Sequence, residues 1–189
     1  AVALASTILI GLAALVAMRL GPFTGTPSNV APDALIPYKQ VEDHTLDLHV
    51  FHAQGQSTAQ ARQPAVLLLF HGGGWVNGGP SQFYPQCAHL SRLGVTCISA
   101  SYRIHSRHGS TPADSLDDAR DALLWVRNHA AVLQIDARRV AVGGGSAGGH
   151  LAAALGVGLP QPAEALPSRP SLDGVPSPSA QRPDALLLL

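Results

Sequence analysis

The sequence predicts an α/β fold, and three observations lead there. Short apolar runs of strand length alternate along the chain with stretches of helical periodicity. Two of those runs open directly into glycine clusters, His71-Gly72-Gly73-Gly74-Trp75 and Gly144-Gly145-Ser146-Ala147-Gly148. The final run, Ala185-Leu186-Leu187-Leu188-Leu189, is continuously apolar, as parallel strands buried on both faces are.

Residues 1–18 carry no charge and are mostly Ala, Leu, Val and Ile, which is long for a signal-peptide core and about the minimum for a membrane span. Residues 1–20 are therefore read as an export signal or membrane anchor. Residues 21–37, with their Pro, Thr and Ser, read as a linker to a folded domain over 38–189. The expected location is periplasmic or extracellular, or at a membrane held through residues 1–18.

Within the domain, Tyr38 to Phe51 alternates well enough for one or two opening strands, and residues 54–64 form a polar loop. Val66–Phe70 reads as a buried strand, Ser81–Leu93 as a helix stopped by Gly94, and Val95–Ala100 as the next strand. The helix after it has a start signal: Thr111 as cap, Pro112 in the first turn and Asp114 at the capping-box offset. Asp117 and Asp118 suit its positive end, and Arg127 and His129 its negative end. Leu116, Leu123, Val126 and Ala130 recur at helical spacing and predict the face that packs on the sheet. Arg139–Val142 is a further strand, and His150–Leu155 belongs to a helix of strong formers.

Composition narrows the function classes. A chain of 189 residues suits one domain with a real core. Twelve basic residues balance twelve acidic ones, so nothing favours nucleic acid as a partner. Cys87 and Cys97 lack metal-type spacing and read as core thiols, with a disulfide as the alternative that export permits. No metal or cofactor is implied.

The two glycine clusters carry the chemistry. Gly144–Gly148 has the form G-x-S-x-G at a strand-to-helix turn, where the backbone turns sharply and the Ser146 hydroxyl stands exposed above a sheet. A serine hydroxyl is a poor nucleophile until a neighbouring base takes its proton. Ala147 begins the helix, so its N–H faces the site with the helix dipole behind it. The glycine run after Phe70 leaves backbone N–H groups free to meet a developing oxyanion. His71, just before those glycines, reads as a residue that shapes the loop together with Gly72 rather than as a general base. Gly143, Gly145 and Gly148 also satisfy the G-x-G-x-x-G of dinucleotide sites, but the acidic residue that motif requires would be Glu164, among prolines, and the earlier glycine loop would go unexplained.

His71–Trp75, Tyr102-Arg103, Ser106-Arg107-His108-Gly109 and Gly144–Gly149 together resemble the hormone-sensitive-lipase-like branch of the α/β-hydrolases, over roughly Tyr38 to Leu189. More narrowly they are similar to acetyl-esterases and feruloyl-esterase-like members that act on acylated carbohydrates. The resemblance implies a mostly parallel sheet with helices on both faces, and acyl transfer from an ester through a covalent serine intermediate. It implies Ser146 as nucleophile, Gly73, Gly74 and Ala147 as oxyanion-hole donors, and a small-molecule or carbohydrate ester as substrate.

One departure from the family pattern shapes the expectation. In this fold the triad runs serine, acid, histidine. All nine histidines lie at or before His150, and the only aspartates after Ser146 are Asp173 and Asp184. Neither matches the family's acid. The reading is therefore the front part of a longer serine esterase, weak or inactive as it stands, lacking the C-terminal strands. The alternative is a hydrolase-like protein that binds a ligand without turning it over.

Overall fold

The computed structural model describes residues 30–55, 62–158 and 182–189. Six strands form one sheet: β1 (Ala34–Val41), β2 (His44–Phe51), β3 (Val66–Phe70), β4 (Thr96–Ala100), β5 (Val140–Gly144) and β6 (Ala185–Leu188), in the order β1-β2-β4-β3-β5-β6. β1 and β2 make an antiparallel hairpin that joins β4 antiparallel, while β4, β3, β5 and β6 run parallel. The helices are α1 (Tyr84–Arg92), α2 (His105–His108), α3 (Pro112–Asn128), α4 (Ala130–Leu133) and α5 (Ala147–Val157).

All five residues of β3 and of β4 are buried, as expected of strands covered on both sides. Side chains alternate between faces. Leu68, Phe70, Ile98, Val140 and Val142 meet Ala119, Leu123, Val126 of α3 and Leu151, Leu155 of α5 in one core. The opposite face carries Cys97, bonded to Cys87 of α1. The reading of two core thiols is thereby corrected. Both cysteines are fully buried, as that reading required, but α1 lies on the face of β4 from which Cys97 projects, and the Cα atoms stand 4.9 Å apart.

Two boundaries differ from the sequence reading. β1 starts at Ala34, inside the stretch read as linker. Ala34, Leu35 and Ile36 pair with Val50, His49 and Leu48, and the sheet edge tolerates Pro37 where the register shifts before Lys39. The helix expected over Ser81–Leu93 is a 3-10 turn, Pro80–Phe83, followed by α1, whose first turn holds Pro85. α3 carries the expected capping box: the Thr111 side chain accepts from the Asp114 N–H, and Asp114 Oδ2 accepts from the Thr111 N–H at 2.8 Å.

Ala185–Leu188 is a parallel strand as expected, paired with β5, but its residues are exposed rather than buried on both faces, because the described elements do not cover both of its faces. Among the described residues no helix is long and apolar enough to cross a membrane; the hydrophobic segment at residues 1–18 lies outside them, as do Glu164 and Asp173.

Candidate active site

The site forms where β3 and β5, in parallel register with Phe70 opposite Gly144, release the chain at the same end of the sheet. β5 turns into α5 through Ser146, which has φ 52° and ψ −116° and is exposed. A non-glycine residue at such angles is strained by about 1–3 kcal/mol and is held there by its surroundings. Gly148, in the first turn of α5, is the reason the turn can be this tight. A Cβ at that position would run into the Phe70 carbonyl, so only glycine lets the helix start against the end of β3.

The loop after β3 lies beside this turn. A Cβ on Gly72 would stand 3.1 Å from Gly145 O and 3.5 Å from the Ser146 Cβ. His71 and Gly72 are buried beneath the loop, whereas Gly73 and Gly74 are exposed above it. Gly73 takes φ 127°, and a side chain there would collide with the Asn77 carbonyl as the loop folds back on itself.

The direction of the free N–H groups follows from what holds the carbonyls. A trans peptide is planar, with C=O and N–H on opposite sides. The Gly72 carbonyl, in the same plane as the Gly73 N–H, accepts from His71 Nδ1 at 2.8 Å. The Gly73 carbonyl, in plane with the Gly74 N–H, accepts from the N–H groups of Val76 and Asn77 at 3.1 and 3.0 Å. The N–H groups of Gly73, Gly74 and Ala147 themselves donate to no described residue.

His71 works here as a neutral donor. Burial holds its pKa below the usual histidine value, its bond to Gly72 O opposes that, and the Arg107 charge assists it. Its ring stacks on Tyr102, centroids 4.2 Å apart, and the Tyr102 hydroxyl donates to the His71 carbonyl at 2.7 Å. Burial pushes the Tyr102 phenol above the ordinary tyrosine range, so it stays protonated and donating.

The segment after β4 continues this contact. His105 N–H donates to Trp75 O at 2.8 Å, Ser106 N–H to Val76 O at 3.1 Å, and Arg107 Nη2 to Gly78 O at 3.0 Å. The base of the segment is fixed by Arg103, whose backbone N–H, Nε and Nη2 donate to the Asp118 carboxylate at 2.9, 2.8 and 2.9 Å. Asp118 is fully buried and also meets Lys39 Nζ at 2.7 Å. Read from sequence as a charge for the helix terminus, it is an ion-pair anchor between α3, β1 and the loop that starts at Arg103.

Asp184 belongs to the other end of the sheet. Its carboxylate accepts from Val140 N–H, at the start of β5, and from Arg127. His150 is exposed and edge-on to Trp75 at 5.4 Å. The Ser146 hydroxyl makes no hydrogen bond to a described residue. Among the described residues no group of His, Cys, Asp and Glu could hold a metal ion.

The profile of a family described as alpha/beta hydrolase fold matches residues 67–182, a stretch that contains both glycine loops. The chain belongs to the α/β-hydrolase fold family. This family member is 37% identical over 115 residues to the ethyl acetate hydrolase of Pseudomonas putida, a match covering 60% of the chain and 35% of that relative. It is 40% identical over 87 residues to the probable carboxylic ester hydrolase LipM of Mycobacterium tuberculosis, covering 46% of the chain and 20% of the relative. Among solved structures it is similar to the propionate-bound esterase of Thermogutta terrifontis, with a TM-score of 0.69, 35% identity, and coverage of 82% of this chain and 53% of that one. The paraoxon-phosphorylated form of esterase 2 from that organism matches with a TM-score of 0.71 and 32% identity, covering 87% and 59%. The hydrolase-fold chain thus spans one fifth and about one third of these two curated relatives and just over half of these esterase structures.

Two residues carry no sequence signal for the role they have in holding the site's loops. Gln82 lies in an exposed turn, and its Oε1 accepts from the Gly72 N–H at 2.6 Å. Asp118 sits in an acidic stretch, Asp117-Asp118, where nothing in the pattern marks one carboxylate for burial. Tyr102-Arg103 is marked in the sequence only through the family resemblance.

Proposed function

We propose that this chain is the Ser146-bearing part of a serine carboxylic-ester hydrolase. The observation that carries the reading is an exposed, strained Ser146 on a turn that lies against Gly72 of the glycine loop; the N–H groups of Gly73, Gly74 and Ala147, used by no described residue, support it. A base removes the Ser146 proton, and Oγ attacks the ester carbonyl carbon. The carbonyl oxygen becomes an oxyanion, which accepts from the three N–H groups. Collapse breaks the bond to the alcohol, which leaves with the proton, and water then releases the acid from the acyl-enzyme and restores the hydroxyl. Deleting one such donor in a comparable enzyme costs about 2.7–4 kcal/mol of barrier stabilisation.

The base and its acid are assigned to sequence beyond Leu189. Two facts support this: no histidine follows His150, and the chain covers only part of its relatives' length. The 189-residue chain alone is expected to be weak or inactive. A short acyl group is favoured, in keeping with a relative named for ethyl acetate hydrolysis, and the alcohol side is a carbohydrate or another small molecule. Export, or attachment to a membrane through residues 1–18, is supported by that uncharged apolar run and by a Cys87–Cys97 disulfide, which persists in oxidising compartments.

The test is hydrolysis of p-nitrophenyl acetate by the protein extended past Leu189, beside its Ser146→Ala variant. Turnover that depends on Ser146 supports the esterase. Ligand binding without turnover in the extended, folded protein would favour a hydrolase-like binding protein.

A further inference from the structure

The peptide between His71 and Gly72 is held at both ends by side chains from two different parts of the chain. On one side the Tyr102 hydroxyl donates to its carbonyl at 2.7 Å. On the other, Gln82 Oε1 accepts from its N–H at 2.6 Å. This is the first peptide of the glycine loop, and every later plane in the loop is built from it. With the 71–72 plane fixed, His71 Nδ1 reaches the Gly72 carbonyl, which sets the plane that carries the Gly73 N–H. Glycine itself offers little resistance to rotation about φ and ψ, so the orientation must come from these contacts.

Gln82 is well placed to act as a fixed point. The buried Ser99 hydroxyl of β4 donates to the Pro80 carbonyl at 2.9 Å, and Gln82 N–H donates to Gly79 O at 3.2 Å. Arg107 holds the Gly78 carbonyl just before the turn. A line of contacts therefore runs from the sheet through Ser99, Pro80 and Gln82 into the loop. The glutamine itself is exposed, but the N–H it accepts from belongs to buried Gly72, so the bond both satisfies that N–H and fixes its plane. This bond of 2.6 Å joins the exposed turn to the buried start of the glycine loop, where it sets the loop's first peptide plane.

We propose that Gln82 is a positioning residue: its side-chain oxygen latches the Gly72 amide and so aims the Gly73 and Gly74 N–H groups at the oxyanion site. The catalytic consequence rests on the esterase reading given above. The latch itself does not. The side-chain amide must turn its oxygen to Gly72, because the N–H there can only donate. A variant that keeps an acceptor in this place should keep the latch, and one that replaces the amide by a thioether of similar length should lose it.

The test uses the full protein and two readouts. Amide hydrogen exchange over residues 71–78 is compared in wild type, Gln82→Met and Gln82→Glu. The expected result is faster exchange across the loop in Gln82→Met only, with a small drop in Tm for the unsatisfied Gly72 N–H and with exchange in the core strands unchanged. In parallel, kcat for p-nitrophenyl acetate is expected to fall on the order of tenfold in Gln82→Met with KM nearly constant, less than the 10²–10³ cost of deleting a donor outright. Loop exchange equal to wild type in Gln82→Met overturns the latch, and a released loop with unchanged kcat overturns the role of Gln82 in aiming the Gly73 and Gly74 N–H groups. An inactive wild type whose loop is nevertheless released in Gln82→Met supports the latch and counts against the esterase reading, so the two failures are distinguishable.

Discussion

Tyr102 and His71 lie face to face, their ring planes 15° from parallel, and the Tyr102 hydroxyl reaches back to the His71 carbonyl. The same tyrosine thus supports the loop by packing and by a hydrogen bond, and the two contributions can be separated. Tyr102→Phe keeps the stack but leaves a buried carbonyl without its donor, which should destabilise the fold by about 1–3 kcal/mol. Tyr102→Ala loses the ring as well and should cost about 3–5 kcal/mol. Urea unfolding of the two variants checks the order; a phenylalanine variant as stable as wild type would contradict it.

Asp118 concentrates three N–H groups of Arg103 and the Lys39 ammonium on one buried carboxylate. Removing it leaves the Arg103 guanidinium, largely buried, with only its longer contacts to Asp114, at 3.4 Å to the carboxylate and 3.2 Å to the carbonyl. Asp118→Ala should destabilise by about 3–5 kcal/mol, and Lys39→Met by far less, because Arg103 would still neutralise the carboxylate. Equilibrium unfolding of both variants measures the difference.

Buried His71 and half-buried His49 and His108 predict how stability depends on pH. Burial lowers the pKa of His71, His49 and His108 in the folded state, so the unfolded chain binds more protons in acid. Stability from these groups is complete above the unfolded value of 6.5 and is lost as pH falls below it toward the folded values. His71→Asn, which keeps an N–H donor near the Nδ1 position, should flatten part of the decline in Tm below about pH 6.5. An identical slope in both proteins would mean that His71 takes up its proton without unfolding.

Gly148 is demanded by close approach. Gly148→Ala would place a methyl carbon on the Phe70 carbonyl and force α5 away from β3, at a cost of about 3 kcal/mol or more. Gly74→Ala provides the contrast, since nothing stands within 4 Å of a Cβ there and only its φ of 62° opposes the change. Thermal unfolding of the pair should show the larger drop at Gly148.

The strands and the two glycine loops were legible because their signals are local. Val66–Phe70 is a run of five apolar residues, and the Thr111–Asp114 capping box is written into four consecutive positions. What the sequence did not disclose depends on contacts across the fold. Cys87 and Cys97 are ten residues apart and each suits a core, so only the seating of α1 on β4 reveals that they meet. The start of β1 was hidden by Pro37, a residue that reads as linker until the strand is seen to lie at the sheet edge. At the site, Ser146 and the glycines were marked by their motifs. The groups that hold those glycines, Tyr102 and Gln82, come from other loops, 31 and 10 residues away along the chain from the atoms they bind.

The central claim is that Ser146 is the nucleophile, and covalent labelling tests it most directly. The protein extended past Leu189 would be treated with a fluorophosphonate and digested, and the modified peptide mapped. The account predicts a single adduct on Ser146, together with a loss of ester hydrolysis on the order of 10³-fold or more in Ser146→Ala. An adduct on another residue, or a Ser146→Ala variant that turns over p-nitrophenyl acetate at the wild-type rate, would contradict it.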